Sequence, residues 1–290
     1  WDNVPEQITR VIHDGKAVLT EKIVVGKPNT PTPVFSADMR FVIFHPSWGV
    51  PEGIKSNELG PMLRRAGGGG GGWLFGGGDG ASRVLARHGL RVSHNGREVN
   101  PDSVNWSAVD VRQFQFTQPP SGSNVLGIVK FRFPNRFDVY MHDTPERHLF
   151  ASATRTFSHG CMRVQNPMRL AELLLAHDKG WSADKVRGFV AHAGTSEITL
   201  ATPIPVHVTY FTATVDETGK LHQHADVYGM DGRVASALAG KPVQLASGRA
   251  PDADAEAAPA RAKRDPRQKG QAATARGAAP FDPFSRLSAN

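Results

Sequence analysis

Cysteine is nearly absent from this chain: Cys161 is the only one in 290 residues. A single cysteine excludes an internal disulfide, and with it the small disulfide-bonded scaffolds of many secreted proteins. The count does not decide between an oxidising and a reducing compartment. It leaves one thiol unpaired and available for chemistry.

Long hydrophobic runs are also missing. No stretch approaches the roughly 20 apolar residues of a membrane-spanning helix. The first thirty residues carry no basic segment followed by an apolar core, so no signal peptide is expected within this sequence. The chain enters a β-rich run almost directly after Trp1, as a fragment of a longer precursor would. We therefore expect any signal or anchor to lie outside this chain.

The charge is unbalanced, with a formal net charge of +7 and a pI near 9.7. This excess suits an anionic partner, but the chain lacks a nucleic-acid-binding motif and an aromatic-basic stripe, so no nucleic acid is expected. The glycine-rich run at residues 67–72 lacks the Gly-Lys-Ser/Thr ending of a phosphate-binding loop. A pair of cysteines and a helical His-x-x-x-His are missing too, so no metal site is expected.

Alternating apolar and β-branched residues predict most of the regular structure as strands. Two of these runs are joined by Asp14-Gly15, a strong hairpin signal. One later strand ends at His142, and an extended run opens at Cys161. The predicted elements are strands 8–13, 16–25, 39–44, 127–133 and 137–142, helices 83–88, 168–177 and 183–193, and a hairpin of 206–215 with 221–228. The pattern predicts a mainly β fold with flanking helices, of the α+β class.

Two helices have clear start and stop signals. Asn166 is a natural N-cap, and Pro167 suits the first helical position. Gly180 is expected to end this helix. Ser182 caps the next one, which Gly194 is expected to end.

The chain is expected to divide into a domain of residues 1–245 and a tail of residues 246–290. The tail is rich in Ala, Pro, Gly and Arg and has few large apolar residues, so it is predicted to be disordered. Within the domain, residues 48–107 interrupt the strand pattern and read as an inserted lid subdomain, because a loop of about 60 residues is seldom idle. The glycine runs 67–72 and 76–78 are expected to make it mobile.

Two short motifs carry the chemistry. Fifteen residues separate His142 from Ser158, the first residue of Ser-His-Gly-Cys-Met-Arg. A lone thiol at Cys161 and an upstream histidine are the minimal set for a thiolate nucleophile and its base. A neighbouring imidazole is expected to raise the thiolate fraction. Gly160 has no Cβ, which lets backbone N–H groups approach a developing oxyanion.

This spacing resembles the signature of the L,D-transpeptidase catalytic domain, also called the YkuD domain. The likeness runs over roughly residues 4–238 and includes several further segments in the right order. Those segments are 24–33, 46–51 and 124–127, the last leading into 142–145. The resemblance implies a YkuD-type β-sandwich or barrel-like core, in the subgroup with an inserted capping subdomain.

The resemblance also implies an activity on peptidoglycan. Cys161 would attack the donor tetrapeptide stem, D-alanine would leave protonated by His142, and the amine of an acceptor stem would take the thioester to give a 3→3 cross-link. No cofactor is implied. Carbapenems would acylate the same thiol. The protein would be periplasmic or otherwise in the cell envelope, and a monomer is expected.

Other residues are expected to support the reaction. Ser158, His159 and Gly160 would form the catalytic loop and its oxyanion donors. His159 could instead tune the thiolate, shape the substrate pocket or serve as a structural hydrogen-bonding group. Arg163 and Tyr140 are candidates for binding the substrate or bracing the loop.

The third member of the triad stays open. Asp143 is adjacent to the base but is not expected to act as a charged member, because neighbours on a strand point to opposite faces. In the family a backbone carbonyl or an adjacent residue can serve.

The sequence leaves three other functions open. An L,D-carboxypeptidase would release the same acyl-enzyme to water, and an anchoring transferase would pass it to a wall protein. A peptidoglycan-binding module without catalysis would need neither Cys161 nor His142.

Overall fold

A computed structural model describes residues 1–67, 80–192 and 194–242. The expected disordered tail and most of the expected mobile glycine runs lie outside these residues. The described part contains fifteen strands and six α-helices.

The strands are β1 Asp2–Asn3, β2 Ile8–His13, β3 Lys16–Gly26, β4 Phe35–Phe44, β5 Trp48–Gly49, β6 Arg91–His94, β7 Arg97–Glu98, β8 Phe114–Gln118, β9 Val129–Arg132, β10 Met141–His142, β11 Thr156–Ser158, β12 Met162–Val164, β13 Ser196–Thr209, β14 Ala213–Val215 and β15 Leu221–Gln223. The α-helices are α1 Glu52–Ile54, α2 Gly60–Gly67, α3 Ala81–Arg87, α4 Pro167–Lys179, α5 Ala183–Ala191 and α6 Met230–Leu238. A π-helical turn, Lys55–Leu59, joins α1 to α2, and short 3₁₀ turns occur at Pro101–Ser103, Val111–Gln113 and Arg147–Ala151.

The main sheet closes on itself. Nine of the described strands follow the order β11-β3-β12-β10-β9-β4-β13-β1-β2, and β2 also pairs with β3. This last pairing completes a barrel-like ring, with β11 attached to β3 at its edge. The mainly β fold with flanking helices and a barrel-like core is therefore confirmed.

The first hairpin shows how local sequence produces this sheet. His13 pairs with Lys16, so Asp14 and Gly15 alone form the loop. Both have positive φ, at 48° and 75°. Two successive positive φ values define a turn whose twist matches that of the flanking strands. The predicted hairpin is confirmed.

The helix signals are mostly confirmed. Helix α4 begins at Pro167 and ends against Gly180, which has a left-handed φ of 64°. The Ser182 hydroxyl caps α5 by accepting from the Lys185 N–H at 3.3 Å. Asn166 differs from the expectation: its side chain makes no cap and donates to Glu21 at 2.8 Å instead.

The C-terminal hairpin was predicted wrongly. The strand expected over 206–215 is split, because its first residues end the long β13 and only Ala213–Val215 belongs to the hairpin. Strand β13 begins at Ser196 and pairs along β4. The two pieces look like one strand in the sequence because β-branched and polar residues alternate in both.

The segment between β4 and β9 has its own sheet and core. Strands β5, β8, β6 and β7 pair in that order. The buried residues of this segment, from its helices and loops as well as its strands, form a second hydrophobic cluster that includes Leu63, Trp106, Phe114 and Phe116. Strand β8 is central to this sheet and lies beyond residue 107, so this packed unit extends further than the expected 48–107 insert. A turn at Asn95 and Gly96 joins β6 to β7 in a small hairpin.

Candidate active site

Two neighbouring parallel strands bring the motif residues together. Met141 of β10 is in register with Met162 of β12, and His142 is in register with Arg163. The two methionines are 2% and 0% exposed and point into the core. Because side chains alternate along a strand, His142 and Arg163 point to the opposite face. Cys161 immediately precedes Met162 and therefore falls on that same face.

The thiol of Cys161 rests in its protonated form. Its Sγ donates to the Asp138 carbonyl at 3.8 Å, and no hydrogen bond joins it to His142 in the described structure. Burial raises the pKa of the thiol to about 11 and outweighs contacts with Tyr140 and the charge of Lys130, which lower it. The raised pKa favours the protonated thiol in this structure, and a thiolate nucleophile assisted by His142 stays a prediction.

His142 is buried and held by one hydrogen bond. Its Nδ1 lies 2.5 Å from the backbone carbonyl of Asp143. Since a carbonyl only accepts, Nδ1 carries the proton and Nε2 keeps a free lone pair. Burial, followed by the positive charge of Arg163, lowers the pKa of His142 to about 3. The imidazole is thus neutral and has an open basic nitrogen.

The carboxylate of Asp143 serves the backbone. Its Oδ2 accepts from the N–H of Ile128 at 2.9 Å, and its Oδ1 accepts from the N–H of Thr144 at 2.7 Å. Arg147 pairs with Oδ1 at 2.5 Å. The carboxylate is therefore occupied elsewhere, and the group that orients the imidazole is the main-chain carbonyl of the same residue.

The catalytic loop, residues 158–161, is tied by its own serine. The Ser158 hydroxyl donates to the Cys161 carbonyl at 2.6 Å and accepts from the Gly160 N–H at 3.1 Å. Gly160 has a φ of 120°, a conformation that L side chains rarely adopt. Its N–H is engaged, so Gly160 shapes the loop and is not a free oxyanion donor. Within the described structure, the N–H groups of His159 and Cys161 have no hydrogen-bond acceptor.

Arg163 and Tyr140 surround the base. The Arg163 guanidinium forms an ion pair with Glu146 through Nη1, while its buried Nε has no hydrogen-bond partner among the described residues. The centroid of the Tyr140 ring lies 5.7 Å from that of the His142 ring. Lys130 Nζ lies 3.9 Å from the centroid of the Tyr140 ring. Tyr140 therefore contacts His142 directly, and a role of Arg163 or Tyr140 in binding the substrate or bracing the loop stays a prediction.

The side chain of His159 points toward the inserted segment, which contains the second sheet. Its Nε2 lies 2.7 Å from Oε1 of Glu58, in the π-helical turn between α1 and α2. This pair directly links the catalytic loop to the inserted segment. Sequence reasoning missed Glu58, because nothing local distinguishes it from other exposed acidic residues.

The described residues give no evidence for a metal site or for a membrane-spanning helix. No group of three or more His, Cys, Asp or Glu there is arranged to hold a metal ion. His222 pairs with Asp216, and His224 with the hydroxyl of Thr214. In the same residues, no helix has the length and apolar character that crossing a membrane requires.

Comparison with known proteins gives a matching family and a relative. The family model of the L,D-transpeptidase catalytic domain, YkuD, matches residues 3–206. A Haemophilus influenzae protein described as "Putative L,D-transpeptidase" is 27% identical over 233 residues. The match covers 80% of this chain and 44% of that relative, so this chain spans less than half of the relative's length.

Proposed function

Because this chain belongs to the YkuD family of L,D-transpeptidase catalytic domains, we propose that it forms 3→3 cross-links in peptidoglycan through a thioester on Cys161. The observation that carries the proposal is the parallel pairing of β10 with β12. It places a thiol and a neutral imidazole with an open Nε2 on one face. A binding module would need neither group.

In the first step Cys161 attacks the carbonyl that precedes the terminal D-alanine of a donor tetrapeptide stem. As the carbon–sulfur bond forms, Nε2 of His142 takes the thiol proton, and the carbonyl oxygen becomes an oxyanion. The oxyanion collapses and the carbon–nitrogen bond breaks. D-alanine leaves with the proton from His142.

In the second step the side-chain amine of an acceptor stem attacks the thioester. His142 takes a proton from the amine while the carbon–nitrogen bond forms. The tetrahedral intermediate then expels the Cys161 thiolate, which recovers the proton from His142. The products are a cross-linked dimer and the resting thiol.

The two pKa values make proton transfer part of the attack. With the thiol pKa near 11 and the imidazole pKa near 3, a separated thiolate–imidazolium pair is strongly disfavoured in the resting site. These shifts favour a proton transfer that takes place as the new bond forms, when the oxyanion also develops. Donors to that oxyanion contribute about 3 kcal/mol each in comparable enzymes.

The direct test is incubation of the protein with disaccharide-tetrapeptide, followed by mass analysis. A cross-linked dimer with loss of D-alanine supports the transpeptidase. Tripeptide alone would mean that water takes the thioester, as in a carboxypeptidase, and unchanged substrate would contradict enzymatic function. Cys161→Ala is the matched control and should give unchanged substrate. Since the substrate is wall polymer, we place the protein in the cell envelope.

Carbapenem acylation is an independent test of the acyl-enzyme. The strained lactam presents an acyl carbon to the same thiol. One stable adduct per chain should appear by intact mass and should be absent from Cys161→Ala. An adduct that persists in that variant would put the reaction at another residue.

A further inference from the structure

The loop that follows β3 holds the catalytic loop by its carbonyl groups. We call residues 26–32 the clamp loop. The carbonyl of Ser158 accepts from the N–H of Lys27 at 2.9 Å and from the hydroxyl of Thr30 at 3.2 Å. The carbonyl of Gly160 accepts from the hydroxyl of Thr32 at 2.8 Å. Two carbonyls of the catalytic loop are therefore anchored on one side.

Thr32 is built into this contact. It is 2% exposed, and its Oγ1 accepts from the N–H of Gly26 at 2.9 Å. A hydroxyl has a single proton, so the bond from Gly26 leaves that proton for the carbonyl of Gly160. The orientation of the hydroxyl is thereby determined.

The clamp loop is in turn supported from the C-terminal part of the domain. The hydroxyl of Tyr228 donates to the carbonyl of Gly26 at 2.7 Å and accepts from the N–H of Thr32 at 3.1 Å. The loop folds so tightly that a Cβ on Gly26 would lie 2.2 Å from the carbonyl oxygen of Thr30. The position of Thr32 is therefore set by packing as well as by hydrogen bonds.

Peptide planarity carries this anchoring to the reacting side of the loop. The described residues contain no cis peptide bond, and in a trans peptide the C=O and the following N–H point in opposite directions. With the carbonyl of Gly160 turned toward Thr32, the N–H of Cys161 must point away from the clamp loop. By the same rule, the carbonyl of Ser158 directs the N–H of His159 away from it. Among the described residues, neither of these two N–H groups has a hydrogen-bond acceptor.

We propose that Thr32, supported by Tyr228, is a positioning residue that sets the oxyanion site by holding the carbonyl of Gly160. Its hydroxyl touches neither substrate nor thiol. It acts through the Gly160–Cys161 peptide, whose N–H it orients toward the substrate side. The inference rests on the proposed function only in requiring acyl transfer to Cys161.

The test compares two reactions of the same thiol. Acylation by p-nitrophenyl acetate passes through a tetrahedral oxyanion, whereas alkylation by iodoacetamide displaces iodide and forms none. Thr32→Val keeps the shape of the side chain and removes the hydroxyl. Single-turnover acylation should fall about 10- to 100-fold in this variant, and alkylation should change less than about twofold.

Rescue and folding controls complete the design. Thr32→Ser keeps the hydroxyl and should return acylation to within a few-fold of the parent protein. Thr20→Val makes the same chemical change at an exposed site on β3 and should alter neither rate. If Thr32→Val fails to fold, Tyr228→Phe removes the supporting hydroxyl and should lower acylation selectively, by a smaller factor.

An equal fall in both reactions would assign Thr32 to general structure and overturn the proposal, as would unchanged acylation in Thr32→Val. Neither reaction needs peptidoglycan, so the proposed cross-linking can fail while this inference stands. Conversely, if the parent protein cross-links stems but the variants show no selective loss of acylation, this inference alone is rejected.

Discussion

At the scale of single residues, the pKa shifts of Cys161 and His142, the proposed reacting groups, both favour the neutral form. Burial suppresses charge on each, because a charged thiolate or imidazolium would lose its hydration there. The hydrogen bond from His142 to the carbonyl of Asp143 then determines which ring nitrogen is basic.

Alkylation of Cys161 should report the protonated thiol directly. Its rate with iodoacetamide should rise about tenfold per pH unit between pH 7 and pH 10, because the reactive thiolate fraction grows in that proportion below the pKa. The measurement is a stopped-time mass assay across this range. A rate that is already level below pH 7 would mean a preformed thiolate–imidazolium pair.

His142 should make the fold sensitive to acid. Its pKa is lowered from 6.5 to about 3 in the folded state, so the unfolded chain takes up this proton first as pH falls. The free energy of unfolding should then decrease from pH 6.5 toward pH 3, by up to about 1.4 kcal/mol per pH unit from this residue.

Urea unfolding at pH 7 and at pH 5 measures the effect. His142→Gln should reduce the difference between the two pH values. The exposed His148 offers a control, and His148→Gln should leave the difference as it is. Equal pH dependence in the parent protein and in His142→Gln would refute the expected linkage.

At the scale of elements, two strands and two loops together form the candidate site. The pairing of β10 with β12 sets the spacing of His142 and Cys161, whereas residues 158–161 and the clamp loop orient the backbone groups. The His159–Glu58 pair adds the inserted segment to this arrangement. Both side chains are partly exposed, at 39% and 48%, so the pair contributes less than about 1 kcal/mol to stability.

Glu58→Ala should therefore affect function more than folding. Losing the contact frees the inserted segment from the catalytic loop, so we expect a higher KM for the peptidoglycan stem with little change in alkylation of Cys161. Steady-state turnover, alkylation rates and thermal unfolding measure the three quantities. Glu98→Ala, at an exposed site on β7, is the control. A matching fall in alkylation would show that Glu58 acts on the thiol itself.

At the scale of the whole molecule, two hydrophobic cores are joined through a buried amide. Asn124 is fully buried, and its side chain donates to the carbonyls of Pro46, Gln118 and Pro119. Its Oδ1 accepts from the N–H of Leu126 at 2.8 Å. These bonds connect the two ends of the segment between β4 and β9.

Asn124→Ala should be strongly destabilising. It leaves buried carbonyls and one N–H without partners, at a cost of about 3 kcal/mol in the free energy of unfolding. Thermal unfolding should show a lower midpoint by several degrees. Gln113→Ala, at an exposed site in the same segment, should shift it by much less. A shift no larger than that of the control would mean that water satisfies these groups at no cost.

The sequence by itself determined the features that depend on neighbouring residues. The Asp14-Gly15 turn, the start of α4 at Pro167 and its end at Gly180 follow from local backbone preferences, which need no distant partner. The motif around Cys161 and the distant His142 also sufficed to indicate the family. Each of these signals is contained within a few residues of chain, except that the family motif also uses the spacing of His142 from Cys161.

Only the tertiary structure decided which distant groups meet. Thr32 is 128 residues from Gly160, and Tyr228 is 196 residues from Thr32, so no local pattern marks either contact. The register of β10 against β12 and the pairing of His159 with Glu58 depend on how the closed sheet assembles. The pKa values of Cys161 and His142 are shifted mainly by burial. Burial depends on how the whole molecule packs, so a single segment of sequence does not reveal it.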